Sequence, residues 1–254
     1  MGRKYSVYYS ENAVIKNNLY HIIKTFTVRC RFTPSAASDF PLICSYNSNQ
    51  HFHYIVNYLG HAYLSFSQPP VLAGNMISDY VKGKKKFDYP ADVQTGITLH
   101  RYIDTFTDEH PATKAARQFF QSAYRLYSGA FIDVVYDHFL ANDPAVFTDT
   151  SLAQFAEQTY ASLDNFTTVF PDKFNALFPY MKQYNWLYHY REHSGIERSF
   201  EGVMHRSAYI TESNTAYKLF EQHYFTLQQH YNDFFPAIKE FAWNRLQTML
   251  EQKH

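Results

Sequence analysis

From Asn57 onward, apolar residues recur at three- and four-residue spacings and never alternate with polar ones for more than a few positions, so the pattern predicts helices throughout. Proline opens these helices and glycine or proline closes them. Pro69-Pro70 precedes "VLAGNMISDYVKG", which stops at Gly83; Pro90 opens a helix reaching the neighbourhood of Thr107, and Pro111 begins the next. "AFIDVVYDHFLA" ends before Asp143-Pro144. The second half carries longer amphipathic stretches: "LAQFAEQTYASLDNF", Pro171 to about Met181, and a segment centred on Trp186. In the last run, Leu219, Tyr224, Leu227, Tyr231 and Phe234 keep a helical rhythm, and Pro236 predicts a break or kink. No long-period repeat of the solenoid type is visible. The expected fold is an all-α, single-domain helical bundle.

Residues 1–55 depart from this pattern. "TPSAASDFP" and "YNSNQ" read as loop or disorder, and no apolar centre of a signal peptide is present. The segment holds six Lys or Arg against two Asp or Glu, a net of +4; with a whole-chain charge of zero, the remainder carries −4. The expected organisation is an extension over 1–55, poorly structured or a gene-model artefact, followed by a helical domain over 56–254.

Composition narrows the function classes. Only 8 glycines against 23 Tyr and 23 Phe suit a helical protein poor in tight turns. A net charge of zero gives no global field toward nucleic acid or an anionic membrane. No apolar run approaches the ~20 residues of a bilayer span. Cys30 and Cys44 are too few for a disulfide framework and lack metal-ligand spacing. These features predict a soluble, cytoplasmic protein.

The candidate chemistry lies in four apolar helices with embedded ligand-type residues. "NYLGHAYL" offers His61; "GNMISDYVKG" offers Asn75 and Asp79; "LHRYIDTFTD" offers His100, Arg101, Asp104 and Asp108; "FIDVVYDHFL" offers Asp133, Asp137 and His138. His100 and Asp104, four apart, share a helical face, with Leu99, Ile103 and Phe106 on the neighbouring side. In the fourth helix Phe131, Ile132, Val134, Val135, Phe139 and Leu140 leave almost no solvent face, so Asp133 and Asp137 must be buried or nearly so. Two unpaired buried carboxylates are costly unless a cation, Arg101 or protonation neutralises them. Mixed His and Asp ligands on facing helices are how bundles hold catalytic divalent ions. His110, Asp143, His189, His193 and His205 lack this embedded setting and read as structural.

The motifs "NYLGHAYLSF", "GNMISDYVKG", "YPADVQTGITLHRYIDTFTDEHP", "FIDVVYDHFL", "WLYHY" and "GVMHR", in this order, resemble those of the bacterial acyl carrier protein phosphodiesterase family. The resemblance runs from about Asn57 to the C-terminus and is strongest between Asn57 and Leu140. It implies a fold distantly related to the HD-type metal phosphohydrolases. It also implies hydrolysis of the phosphodiester joining phosphopantetheine to a serine of holo-acyl carrier protein, with manganese, or else magnesium, as cofactor. His61, Asp79, His100, Asp104, Asp133, Asp137 and His138 all match family motif positions. Departures are Gly60 for alanine, Tyr102 for a second arginine and Tyr136 for tryptophan; Asp137-His138 also reverses the His-Asp order that names the wider superfamily.

On this resemblance the expected metal ligands are Asp79, His100, Asp137 and His138, with His61 next. Asp104 or Asp133 would complete the site or orient the attacking water, and Arg101 would hold phosphate oxygens. Family members begin where Val56 stands, which implies that residues 1–55 extend the reading frame upstream. Lys82, Lys84, Lys85 and Lys86 in "VKGKKKF" follow the segment bearing Asp79 and are expected to dock the acidic carrier. Two other readings stay open at this point: hydrolysis of a small nucleotide or phosphate ester, and a metal-free helical binding protein.

Overall fold

The structure, a computed structural model, describes residues 57–252, all within a compact unit, Asn47–His254. The expectation for residues 1–55 lies outside the described residues. Eleven α-helices and no strand occur among the described residues: α1 (Tyr58–Tyr63), α2 (Pro69–Ile77), α3 (Ala91–Glu109), α4 (Pro111–Tyr124), α5 (Ser128–Ala141), α6 (Asp149–Asp164), α7 (Asp172–Gln183), α8 (Trp186–His189), α9 (His193–Arg206), α10 (Asn214–Gln222) and α11 (Tyr224–Glu251). The all-α reading therefore holds. No helix among the described residues is long and apolar enough to cross a membrane.

The starts follow the proline signals. Pro69 and Pro111 occupy the first turns of α2 and α4, where the missing N–H would be unpaired in any case. Thr148 caps α6 by accepting from Ser151 N while the Ser151 hydroxyl accepts from Thr148 N, a reciprocal box. Pro236 does not end its helix: α11 continues through it, with Phe234, Phe235 and Ile238 buried around the proline. The discontinuity falls earlier, at His223, between α10 and α11. Packing of the buried face outweighs the loss of one hydrogen bond at Pro236.

Two features position the site. Helix α5 is the central element, buried all round except at Ala130 and Asp133, and it packs against α1, α4, α9 and α11. Helices α2 and α3 cross with their backbones in contact at a glycine pair. A Cβ on Gly74 would stand 2.0 Å from the Val93 carbonyl oxygen, and one on Gly96 would stand 2.1 Å from that of Val71. Any larger residue at either place would push the helices apart, and with them the side chains that meet just beyond the crossing.

Candidate metal centre

That crossing brings Asn75 of α2 against His100 of α3. The His100 Nδ1–H donates to the Asn75 backbone carbonyl at 2.8 Å, with the Asn75 Oδ1 at 3.1 Å. The same Oδ1 accepts from His61 Nδ1 of α1 at 2.7 Å. Asn75 Nδ2 in turn donates to the His61 carbonyl at 2.9 Å and to Ser65 Oγ at 3.0 Å, which fixes the amide's orientation. One buried amide thus holds both imidazoles by Nδ1, and their rings stack 3.9 Å apart at 14°. Both Nε2 atoms are left facing the same carboxylate. Asp104 places Oδ1 3.3 Å from His61 Nε2 and Oδ2 3.1 Å from His100 Nε2.

Asp79 lies in the short 3₁₀ turn Ser78–Tyr80 after α2, so it leaves the helical line from Asn75, and its Oδ1 reaches His100 Nε2 at 3.2 Å. His61, His100 and Asp104 form the group of ligand atoms among the described residues that is close enough to grip one ion, all within 4.8 Å of one another.

The electrostatics show what the cluster lacks. Burial alone would lower the His100 pKa, but hydrogen bonds to Asp104 and Asp79 carry it up to about 10. Burial and the neighbouring His100 charge lower that of His61. Burial would raise Asp104 and Asp79, yet the bonds from His100 hold Asp79 below its ordinary value and, with His61, Asp104 well below the usual carboxylate range. His61 Nε2 accepts from Asn57 Nδ2 at 3.1 Å and stands 3.3 Å from Asp104 Oδ1, an acceptor facing a carboxylate, while His100 meets Asp104 and Asp79 through a proton on Nε2. A divalent cation would meet both lone pairs and the carboxylate at once, so the donor set fits a metal.

The cluster opens into a cleft of about 520 Å3. Asp133 of α5 lines it, its carboxyl pushed well above the ordinary value by burial and then by the charges of Asp104 and Asp108. Arg117 of α4, Lys82, Lys173 and Arg206 contribute cations to the same cleft.

Several expected site residues lie elsewhere. Asp137 accepts from Leu59 N at 2.9 Å and Gly60 N at 2.8 Å, so its carboxylate caps the start of α1 and is not part of the His61, His100 and Asp104 group. Burial raises it to about 7 against the pull of those two amides. His138 donates from Nδ1 to the Tyr190 carbonyl at 2.8 Å and pairs by Nε2 with the Tyr224 hydroxyl at 3.0 Å, where burial lowers it to about 4. Arg101 donates to the Val81 carbonyl at 2.8 Å, tying α3 to the segment after Asp79. Lys84 and Lys85 are exposed on the 3₁₀ turn Gly83–Asp88, Lys86 lies over the Phe87 ring, and only Lys82 of the four reaches the cleft.

Sequence reasoning named Asn75 but gave it no role. Its signal was a fully buried amide one residue from a glycine in an apolar helix. Arg117 carried no local signal, because its importance arises from contacts with α3 and α5.

Comparison with known proteins places the chain in one family. The family model described as acyl carrier protein phosphodiesterase matches residues 56–238. The acyl carrier protein phosphodiesterase of Photorhabdus laumondii is 30% identical over 191 residues, 75% of this chain and 96% of the relative. That of Yersinia enterocolitica is also 30% identical over 191 residues, covering 75% of this chain and 99% of the relative. No solved structure matches significantly. A helical chain matched by this family model over residues 56–238, with relatives of 30% identity covered almost end to end, belongs to the acyl carrier protein phosphodiesterase family of hydrolases.

Proposed function

We propose that the chain is a divalent-metal-dependent phosphodiesterase that releases phosphopantetheine from holo-acyl carrier protein and leaves the apo carrier. The observation that carries this reading is the convergence of His61 Nε2, His100 Nε2 and the Asp104 carboxylate under one Asn75 amide. In this reading those three groups hold the ion, with Asp79 joining from the His100 side. Two imidazoles with one or two carboxylates suit manganese, with magnesium favoured less because of the nitrogen ligands. When bound, the ion supplies positive charge that stabilises the phosphate and lowers the pKa of water.

The chain's own residues do the rest. Asn75 keeps both histidines in the Nδ1–H tautomer, so that Nε2 stays a ligand. Asp133 faces the cluster across the cleft, and its raised carboxyl gives a proton to the departing serine oxygen and regains one from the attacking water. The water oxygen bonds to phosphorus, the bond from phosphorus to the carrier's serine oxygen breaks, and that oxygen leaves as the alcohol. Asp137 and His138, expected as ligands from the motif, are assigned to holding α1 and the contacts of α5 with Tyr190 and Tyr224. The catalytic module comprises residues 56–254, and Lys82, Lys84, Lys85 and Lys86 form the edge against which the carrier docks.

Incubating the manganese-loaded protein separately with holo-carrier and with small nucleotide phosphodiesters, then identifying the released phosphate ester by chromatography, tests the substrate class. Phosphopantetheine from the carrier is expected. Turnover of the small esters alone would transfer the site to the small-substrate reading.

A further inference from the structure

The motif reading assigns phosphate binding to Arg101, but that guanidinium donates to the Val81 carbonyl and does not line the cleft. A different one faces the cleft. Arg117 pairs with Asp108, which lies one turn beyond Asp104 on α3. Its guanidinium sits against Gly129 in the first turn of α5, where a Cβ would stand 2.2 Å from Nη2, 2.9 Å from Cζ and 3.1 Å from Nε. Any residue but glycine would fill the guanidinium's place. The Nε is buried and has no hydrogen-bond partner. Lys82, Lys173 and Arg206, the other cations of the cleft, are exposed side chains, whereas Arg117 is half-buried and pinned.

This placement does not serve α5 itself. The first turn of a helix carries the positive end of the dipole, so a cation there is disfavoured. Asp108 and the nearby Asp133 balance the charge. What a guanidinium and a helix N-terminus share is affinity for an anion, and the planar fork matches the paired oxygens of a phosphate group. Resting on the phosphodiesterase reading above, we propose that Arg117, laid over Gly129 by its pair with Asp108, binds the non-bridging oxygens of the scissile phosphodiester.

The decisive variant is Gly129→Ala. It places a methyl where Nη2 now lies, displaces the guanidinium without removing its charge, and adds a residue of better helix propensity to α5. The manganese-loaded proteins are titrated with inorganic phosphate by calorimetry, alongside a thermal melt and a manganese titration. The expected result for Gly129→Ala is an unchanged or raised Tm, unchanged manganese affinity, and phosphate affinity at least tenfold weaker. Arg117→Lys should lose phosphate affinity similarly, while Arg101→Ala stays within twofold of the parent. Parental phosphate affinity in both Gly129→Ala and Arg117→Lys, loss of it in Arg101→Ala, or a parent that binds no phosphate would overturn the assignment. Failure of the parent to cleave holo-carrier would count against the substrate reading alone, since the phosphate titration is independent of turnover.

Discussion

Asn75→Ala separates the protein's own stability from its hold on metal. The substitution removes the Oδ1 that accepts from His61 Nδ1 at 2.7 Å and from His100 Nδ1 at 3.1 Å. The losses are unequal. His100 keeps the residue-75 carbonyl at 2.8 Å, and the His61 carbonyl keeps the Ser65 hydroxyl at 2.8 Å. The His61 Nδ1–H alone is orphaned, in a site closed to solvent. One buried unpaired donor costs ~1–3 kcal/mol, and the better helix propensity of alanine returns at most ~0.7 kcal/mol. The metal-free protein should therefore lose about 1–2 kcal/mol.

The effect on metal is of a different kind. Freed from Asn75, His61 can turn its ring or take the other tautomer, and loss of such an orienting partner weakens metal binding ~10–100-fold. At saturating metal that removes a further ~1.4–2.7 kcal/mol of metal-dependent stabilisation. Asn75→Asp retains an acceptor for both Nδ1–H groups and should recover most of the affinity. Urea unfolding in chelator and in excess manganese reads both quantities, and the imidazole nitrogen shifts of His61 report its tautomer. If Asn75→Ala gains as much stability from manganese as the parent, the imidazole pair is not the metal site.

Asp137→Ala should cost ~2–5 kcal/mol by orphaning the Leu59 and Gly60 amides, while the manganese-dependent rise in Tm persists; loss of that rise would return Asp137 to the ligand set. His138 is held neutral by burial, with its pKa lowered from 6.5 to about 4. Its contribution is therefore complete above the unfolded value of 6.5 and is lost as pH falls toward 4, a change of ~3 kcal/mol. His138→Gln should flatten the acid limb of the stability profile in urea melts; an unchanged limb would refute the assignment. Replacing Lys84, Lys85 and Lys86 by Ser should raise KM for the carrier at low ionic strength and leave kcat near parental, as loss of uniform binding does; an unchanged KM would move docking to another face.

The helices were legible in the sequence because burial writes itself as periodicity: the apolar run of α5 and the proline starts of α2 and α4 are visible without coordinates. Of the site, His100 and Asp104 were readable as a pair because they share one helix. The partnership of His61 with His100 was not, since it depends on how closely α2 and α3 approach at Gly74 and Gly96. Asp137 illustrates the opposite case. A buried carboxylate in an apolar helix demands a partner, and sequence cannot distinguish a metal ion from two backbone amides. Arg101 and Arg117 show the same ambiguity: whether an arginine faces the cleft is decided by contacts between helices.

The central claim is that the His61, His100 and Asp104 cluster holds the metal with which the carrier's phosphodiester is cut. Its most direct test is the intact mass of holo-carrier after incubation with parent protein in manganese, with parent protein in chelator, and with Asp104→Ala in manganese. Complete loss of the phosphopantetheine mass in the first case and none in the other two is predicted. An intact holo-carrier with the manganese-loaded parent, or full cleavage by Asp104→Ala, would contradict the account.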